Sequence, residues 1–205
     1  MGNSHPHNKT GRKVVEQKLE NARKTGVLSL CEHKLEACPV QVFEISKLTT
    51  LDLSKNKLVK LNRELSNLKV LKSLNVDNNK LTAGSMNPVS SLTKLKTLSA
   101  SNNLLGDAVV HKNKKGITPA VHHSENPLPM TLPKGIKTIL LANNSLVTIP
   151  PSIVNEKNPL KLLEKLDLSS NNLATVPVSI AILVNLNDLN LDDNVIKNLP
   201  SAIGK

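Results

Sequence analysis

Residues 163–177 read LEKLDLSSNNLATVP, and their spacing decides the fold. Leu163, Leu166, Leu168, Asn171, Leu173 and Val176 stand at fixed intervals, with Pro177 closing the unit. The same arrangement recurs along the chain. Anchored on the asparagine, it returns at Asn56, Asn79, Asn103, Asn144, Asn171 and Asn194, and His33 holds the slot in a degenerate first copy. The intervals from His33 onward are 23, 23, 24, 41, 27 and 23 residues. Periodicity of this length marks a chain of stacked units, each shielding the next.

Each unit centres on a short alternating stretch: Leu28/Leu30, Leu51/Leu53, Leu74/Val76, Leu98/Ala100, Ile139/Leu141, Leu166/Leu168 and Leu189/Leu191. Side chains alternate across a strand, so these pairs point inward and their neighbours outward. One unit cannot bury its own leucines, so several must stack, each in contact chiefly with its neighbours. The pattern is that of a leucine-rich repeat. It predicts an α/β solenoid of about seven repeats with a parallel sheet on the concave side. At the turn after each strand, buried backbone groups need partners, and an amide side chain supplies both donors and an acceptor. Asn56, Asn79, Asn103, Asn144, Asn171 and Asn194 are therefore expected to form a structural ladder, which His33 joins only in part.

The composition agrees with an aliphatic core. The 205 residues are 39% hydrophobic, contain no tryptophan or tyrosine, and have Phe43 as the sole aromatic. No apolar run approaches the roughly 18 residues of a membrane span. The opening MGNSHPHNKTGRK has no apolar core of a secretory signal. A cytoplasmic protein is expected, with Cys31 and Cys38 as small thiols rather than a disulfide. The sequons at Asn8 and Asn143 then carry no weight. The net charge of +11 is uneven: +4 over residues 1–25, +5 over 26–105, +3 over 106–159 and −1 over 160–205. Such a gradient steers a partner's approach more than it sets affinity.

Residues 1–13 read as a flexible basic tail. Residues 14–24, VVEQKLENARK, place Val15, Leu19 and Ala22 at helical spacing and predict an N-terminal capping helix. Residues 25–205 form the repeat domain. Pro39, Pro150, Pro177 and Pro200 fix extended convex segments in several repeats. The 41-residue interval holds an insertion at about 106–130, GDAVVHKNKKGITPAVHHSENPLPM, which lacks leucine spacing and predicts a projecting surface loop.

The opening MGNS, the short helix, the stretch ARKTGVLSL (Ala22–Leu30) and a first repeat ending in Cys38-Pro39 carry a further likeness. Over about the first forty residues the chain resembles the intracellular leucine-rich-repeat family of leucine-rich repeat-containing protein 57 and the Ras-linked repeat proteins. It departs from them in the insertion and in the missing proline after Leu61. The resemblance implies an intracellular, non-catalytic, protein-binding solenoid tied to signalling and membranes.

Candidate sites follow from the repeat. The residue between the two strand leucines gives the row Ser29, Asp52, Asn75, Ser99, Leu140, Asp167 and Asn190, flanked by Lys72, Lys96, Lys137, Lys165, Asp188 and Asp192. Taken singly these are ordinary solvated positions; taken as a face they are where a repeat protein binds. We expect partner contact through Asp52, Asn75, Ser99, Leu140, Asp167, Asn190, Lys72, Lys96, Lys137, Asp188 and Asp192. Tyrosine and tryptophan, the usual hot-spot residues, are missing, so a polar contact is expected. Gly2 after Met1 raises N-myristoylation, but Pro6 stands where the pattern wants Ser or Thr. An unmodified tail is favoured; the alternative is a lipidated, basic-arm protein at a membrane surface, with Lys9, Arg12 and Lys13 as the second signal. His5/His7 and His122/His123 lack further ligands at metal spacing. No nucleophile elbow, phosphate loop or paired carboxylate motif is present, so no cofactor, small-molecule substrate or enzyme activity is expected. Lys112, Lys114 and Lys115 offer nucleic acid no stacking aromatic, so a protein partner is the expected one.

Overall fold

The computed structural model describes residues 7–106, 126–201 and 203. Among these residues are one α-helix, α1 (His7–Thr25), and after it seven three-residue strands. These are β1 (Val27–Ser29), β2 (Thr50–Asp52), β3 (Ser73–Asn75), β4 (Thr97–Ser99), β5 (Thr138–Leu140), β6 (Lys165–Asp167) and β7 (Asp188–Asn190). They lie in one parallel sheet in chain order. The register aligns Leu28, Leu51, Leu74, Leu98, Ile139, Leu166 and Leu189 in a single row. This is a leucine-rich-repeat solenoid: each strand is followed by a turn, a return segment and an approach to the next strand. Short 3-10 turns mark the return segments at Val40–Glu44, Arg63–Asn67, Asn87–Ser91 and Val178–Ile182.

A continuous aliphatic core runs between the strands and the return segments, with Leu51, Leu71, Leu74, Leu98, Leu141, Leu163 and Leu166 wholly buried. Each such leucine contributes about 2 kcal/mol through the apolar surface it removes from water. Phe43 is buried in the same core.

The helix closes the first repeat. Leu19 and Ala22 are buried in the core, Val15 packs against it, and Lys18 Nζ donates to the Ser29 carbonyl at 3.0 Å. The helix ends at Gly26, whose φ of +73° closes the last turn through a bond from its N–H to the Ala22 carbonyl. A β-carbon there would meet the Lys47 carbonyl at 2.9 Å, so glycine serves both the turn and the close approach. The boundaries differ from the sequence reading. The helix begins at His7, directly after Pro6, so residues 7–13, read as tail, are its first turns. The single Gly11 costs about 1 kcal/mol of helix propensity and does not break it.

The insertion also differs from its expected form. Residues 107–125 lie outside the described residues, but 126–130 do not project as a loop. Leu128 and Pro129 are buried, Leu132 joins them, and the Asn126 carbonyl accepts from Gly84 N–H at 3.0 Å. The apolar pair Leu128/Leu132 restores the core contribution that this repeat's return segment must make. At the other end Gly106 is wedged against the next turn, where a β-carbon would lie 2.3 Å from the Ser145 carbonyl.

Candidate functional site

The outward residues of the seven strands form one surface with two different edges. Along its middle, the register sets Ser29, Asp52, Asn75, Ser99, Leu140, Asp167 and Asn190 in one file. Ser29 is exposed; Asp52, Asn75, Leu140, Asp167 and Asn190 are half-buried; Ser99 is buried. Leu140, on the fifth of the seven strands, is thus a half-exposed apolar side chain in a polar file.

The trailing edge, where the chain leaves the strands, is crowded with internal bonds. Asn56 Nδ2 donates to the carbonyls of Leu30, Leu53 and Ser54, while its Oδ1 accepts from the N–H groups of His33 and Leu35. Asn79, Asn103, Asn144, Asn171 and Asn194 repeat the scheme, each bonding its own turn and the strand end one repeat back. Asn144 is wholly buried. At His33 the ring makes a smaller set: Nδ1 donates to the Cys31 carbonyl at 2.6 Å. The Leu30 carbonyl accepts only the one-repeat-back bond from Asn56, whereas the Leu53 carbonyl accepts from both Asn56 and Asn79.

The carboxylates of Asp52, Asp77 and Asp167 on this edge are occupied as well. Asp52 accepts from Ser29 Oγ at 3.0 Å and from Ser54 N–H at 2.9 Å. Asp167 accepts from the N–H and hydroxyl of Ser169. Asp77, half-buried, accepts from Ser99 Oγ at 2.7 Å and from Ser101 N–H at 2.7 Å, tying the third repeat to the fourth. Its burial raises the carboxyl pKa above the usual range, against the lowering effect of those two donors. Glu32 and Lys55, in consecutive repeats, pair at 2.7 Å; this bond lowers the glutamate pKa and raises that of the lysine.

Sequence reasoning missed two features of this edge. The residue before each ladder position is left-handed: Glu32, Lys55, Asn78, Asn102, Asn143, Ser170 and Asp193 have φ between 52° and 63°. The pairs Asn78-Asn79, Asn102-Asn103 and Asn143-Asn144 were the available signal, since asparagine tolerates this conformation best among residues with a side chain. The inter-repeat role of Asp77 had no signal in the repeat pattern.

The leading edge, where the chain approaches the strands, carries Lys72, Lys96 and Lys137 immediately before β3, β4 and β5. Their backbones are stacked directly: Lys96 N–H donates to the Lys72 carbonyl and Lys137 N–H to the Lys96 carbonyl, both at 2.8 Å. Lys137 reaches Glu164 at 2.5 Å, and Lys165 reaches Asp188 at 2.5 Å. Two of the residues singled out from sequence, Lys137 and Asp188, are therefore paired within the chain rather than open, and Ser99 has its hydroxyl committed to Asp77. Asp192 is exposed in the turn after β7. Gly2, His5, His122, His123, Lys112, Lys114 and Lys115 lie outside the described residues.

Both cysteines are free thiols, Cys31 half-buried and Cys38 buried. Burial pushes the Cys38 thiol up to about 12. Among the described residues no group of three His, Cys, Asp or Glu side chains is placed to hold a metal ion. Among them, too, no helix is long and apolar enough to cross a membrane. An open cleft of about 700 Å³ lies away from the strand face, between the return segments of two repeats, with Lys60, Arg63, Thr82 and Ser85 in its lining.

The Leucine rich repeat family profile matches residues 24–81 and 134–196. The chain belongs to the leucine-rich-repeat family. Such domains generally mediate protein–protein interaction and are typically non-catalytic. The chain is 29% identical over 197 residues to adenylate cyclase of Schizosaccharomyces pombe, covering 94% of this chain and 10% of that protein. It is 28% identical to the protein flightless-1 homolog of Caenorhabditis elegans, over 84% of this chain and 14% of the relative. The chain thus spans between a tenth and a seventh of the length of these relatives. Among solved structures, a leucine-rich-repeat protein of Leptospira interrogans superposes with a TM-score of 0.67 at 30% identity, covering 86% of this chain and 39% of that one. The TLR13–ssRNA13 complex shares the fold at a TM-score of 0.66 and 24% identity, over 91% of this chain and 25% of the other.

Proposed function

We propose that this chain is a non-catalytic protein-interaction module, an intracellular adaptor or scaffold, which binds a partner protein across its concave strand face. The observation that supports this most is the central file itself. Seven outward residues stand in register on a rigid sheet, and Leu140 is a half-exposed apolar anchor flanked by Ser99 and Asp167, with Asn75 and Asn190 one strand further out on either side. A rigid surface binds without first being ordered, which keeps the entropic cost of association low. The signalling flavour is supported only by the opening segment around Ala22–Leu30 and by the names of enzymes among its relatives, of which this chain matches a tenth.

Photo-crosslinking residues placed at Asn75 and Leu140, against controls at the exposed return-segment positions Val40 and Val178, test the reading in a cell lysate. One discrete adduct from the strand-face positions only is the expected result. Equal adducts from all four positions, or adducts from Val40 and Val178 alone, would contradict it.

A further inference from the structure

The two signs of charge on the strand face are not treated alike. The carboxylates beside the strands are used up internally, Asp52, Asp77 and Asp167 by hydroxyls and N–H groups and Glu164 and Asp188 by lysines, while Asp192 stays exposed in the turn after β7, away from the lysines. The lysines of the leading edge are in excess. The four approach segments 46–50, 69–73, 93–97 and 134–138 read SKLTT, KVLKS, TKLKT and KGIKT. They hold Lys47, Lys69, Lys72, Lys94, Lys96, Lys134 and Lys137 and no acidic residue. All seven are exposed. Among the described residues only Lys137 of the seven has an ion-pair partner. Stacking at the roughly 4.8 Å spacing of adjacent strands holds like charges closer than a Debye length, so they repel one another while unliganded. The excess fades at the last repeats, where Glu164 and Asp188 enter the same rows.

We infer that this leading edge is a docking strip for an acidic polypeptide segment, laid across the repeats from the second to the fifth. The strip demands an anion, because the anionic groups beside it are already satisfied and its own cations are not. A polypeptide fits better than single-stranded nucleic acid, since Phe43, the chain's only Phe, Tyr or Trp, is buried and offers no ring on which bases can stack. It also fits better than a membrane: the approach segments present Ser and Thr beside the lysines, and of their apolar residues only Val70 is exposed for insertion. A strip of exposed lysines gives fast, salt-sensitive capture, while the neighbouring strand face supplies specificity. The inference rests on the interaction-module reading and names the chemistry of its partner.

The test uses the full chain and a fluorescent ten-residue polyglutamate peptide, titrated at low and high salt. Two triple reversals of equal net charge are compared: Lys72→Glu/Lys94→Glu/Lys96→Glu on the strip, and Lys57→Glu/Lys60→Glu/Lys80→Glu on the return side. The strip reversal should weaken binding at least tenfold and the other less than threefold, with Lys72→Gln/Lys94→Gln/Lys96→Gln intermediate. Decathymidylate and vesicles containing 30% phosphatidylserine should bind at least tenfold more weakly than the peptide. Equal loss from both reversals, no binding by the wild type, or tighter binding of oligonucleotide or vesicle would overturn the strip. If adducts at Asn75 and Leu140 persist while polyglutamate fails, the strip alone falls. If polyglutamate binds while those adducts are absent, the strip stands and the broader reading falls.

Discussion

The leading and trailing edges of the sheet are built from the same repeat, yet they differ in how far their polar groups are satisfied. On the trailing edge the six ladder asparagines, the left-handed turn residues and the aspartates bind one another and the backbone. On the leading edge, lysines stand one repeat apart with their charges largely unmet. Edges that close their own bonds hold a solenoid together; an edge that leaves them open is available to something else. The repeat therefore divides its labour across the sheet, with stability at one end of each strand and recognition at the other.

That contrast can be broken most severely at Asn144. Asn144→Ala removes donors from the carbonyls of Ala100, Leu141 and Ala142 in a site without water access and should cost about 3 kcal/mol. Lys96→Ala on the opposite edge should change stability by less than about 0.5 kcal/mol. Denaturant unfolding of the two variants checks both; a loss at Lys96 as large as at Asn144 would erase the division.

A smaller effect separates the two thiols, one in the trailing turn and one in the return layer. Iodoacetamide at neutral pH should alkylate Cys31 at least tenfold faster than Cys38, which is buried and held protonated. Mass spectrometry after timed quenching reads the ratio, and equal rates would show that the return layer opens freely.

The smallest expected effect is at Asp77. Its folded pKa is raised, so the folded state binds the proton more tightly than the unfolded one. Stability contributed by this group is therefore gained as pH falls from the raised value through the ordinary aspartate value, and lost as pH rises through that window. Wild type should gain on Asp77→Asn as the solution is acidified through it. An unchanged difference would mean that the Ser99 and Ser101 donors fully offset burial.

Most of the fold was legible because leucine spacing is a direct record of which side chains face inward. Leu28 through Leu189 could be set in register from the sequence alone, and the sheet follows. The start of α1 was less legible, because Gly11 and the polar residues after Pro6 read as tail when judged by amphipathicity alone. The end of the insertion was hidden for a similar reason: Leu128 and Leu132 are spaced unlike the other repeats, yet both are buried. For the site, membership of the strand face could be read position by position. Which charges were already paired could not, since Lys137–Glu164 and Lys165–Asp188 join residues 27 and 23 apart, and only stacking brings them together.

The division between the edges is tested most directly by measuring thermal unfolding and polyglutamate affinity on two variants, Asn171→Ala and Lys72→Gln/Lys94→Gln/Lys96→Gln. The account predicts a crossed result: the asparagine variant melts several degrees lower yet, below its transition, binds like wild type. The lysine variant keeps its Tm to within about 2 °C and loses affinity. A lysine variant that loses stability, or a folded asparagine variant that loses affinity, would contradict it.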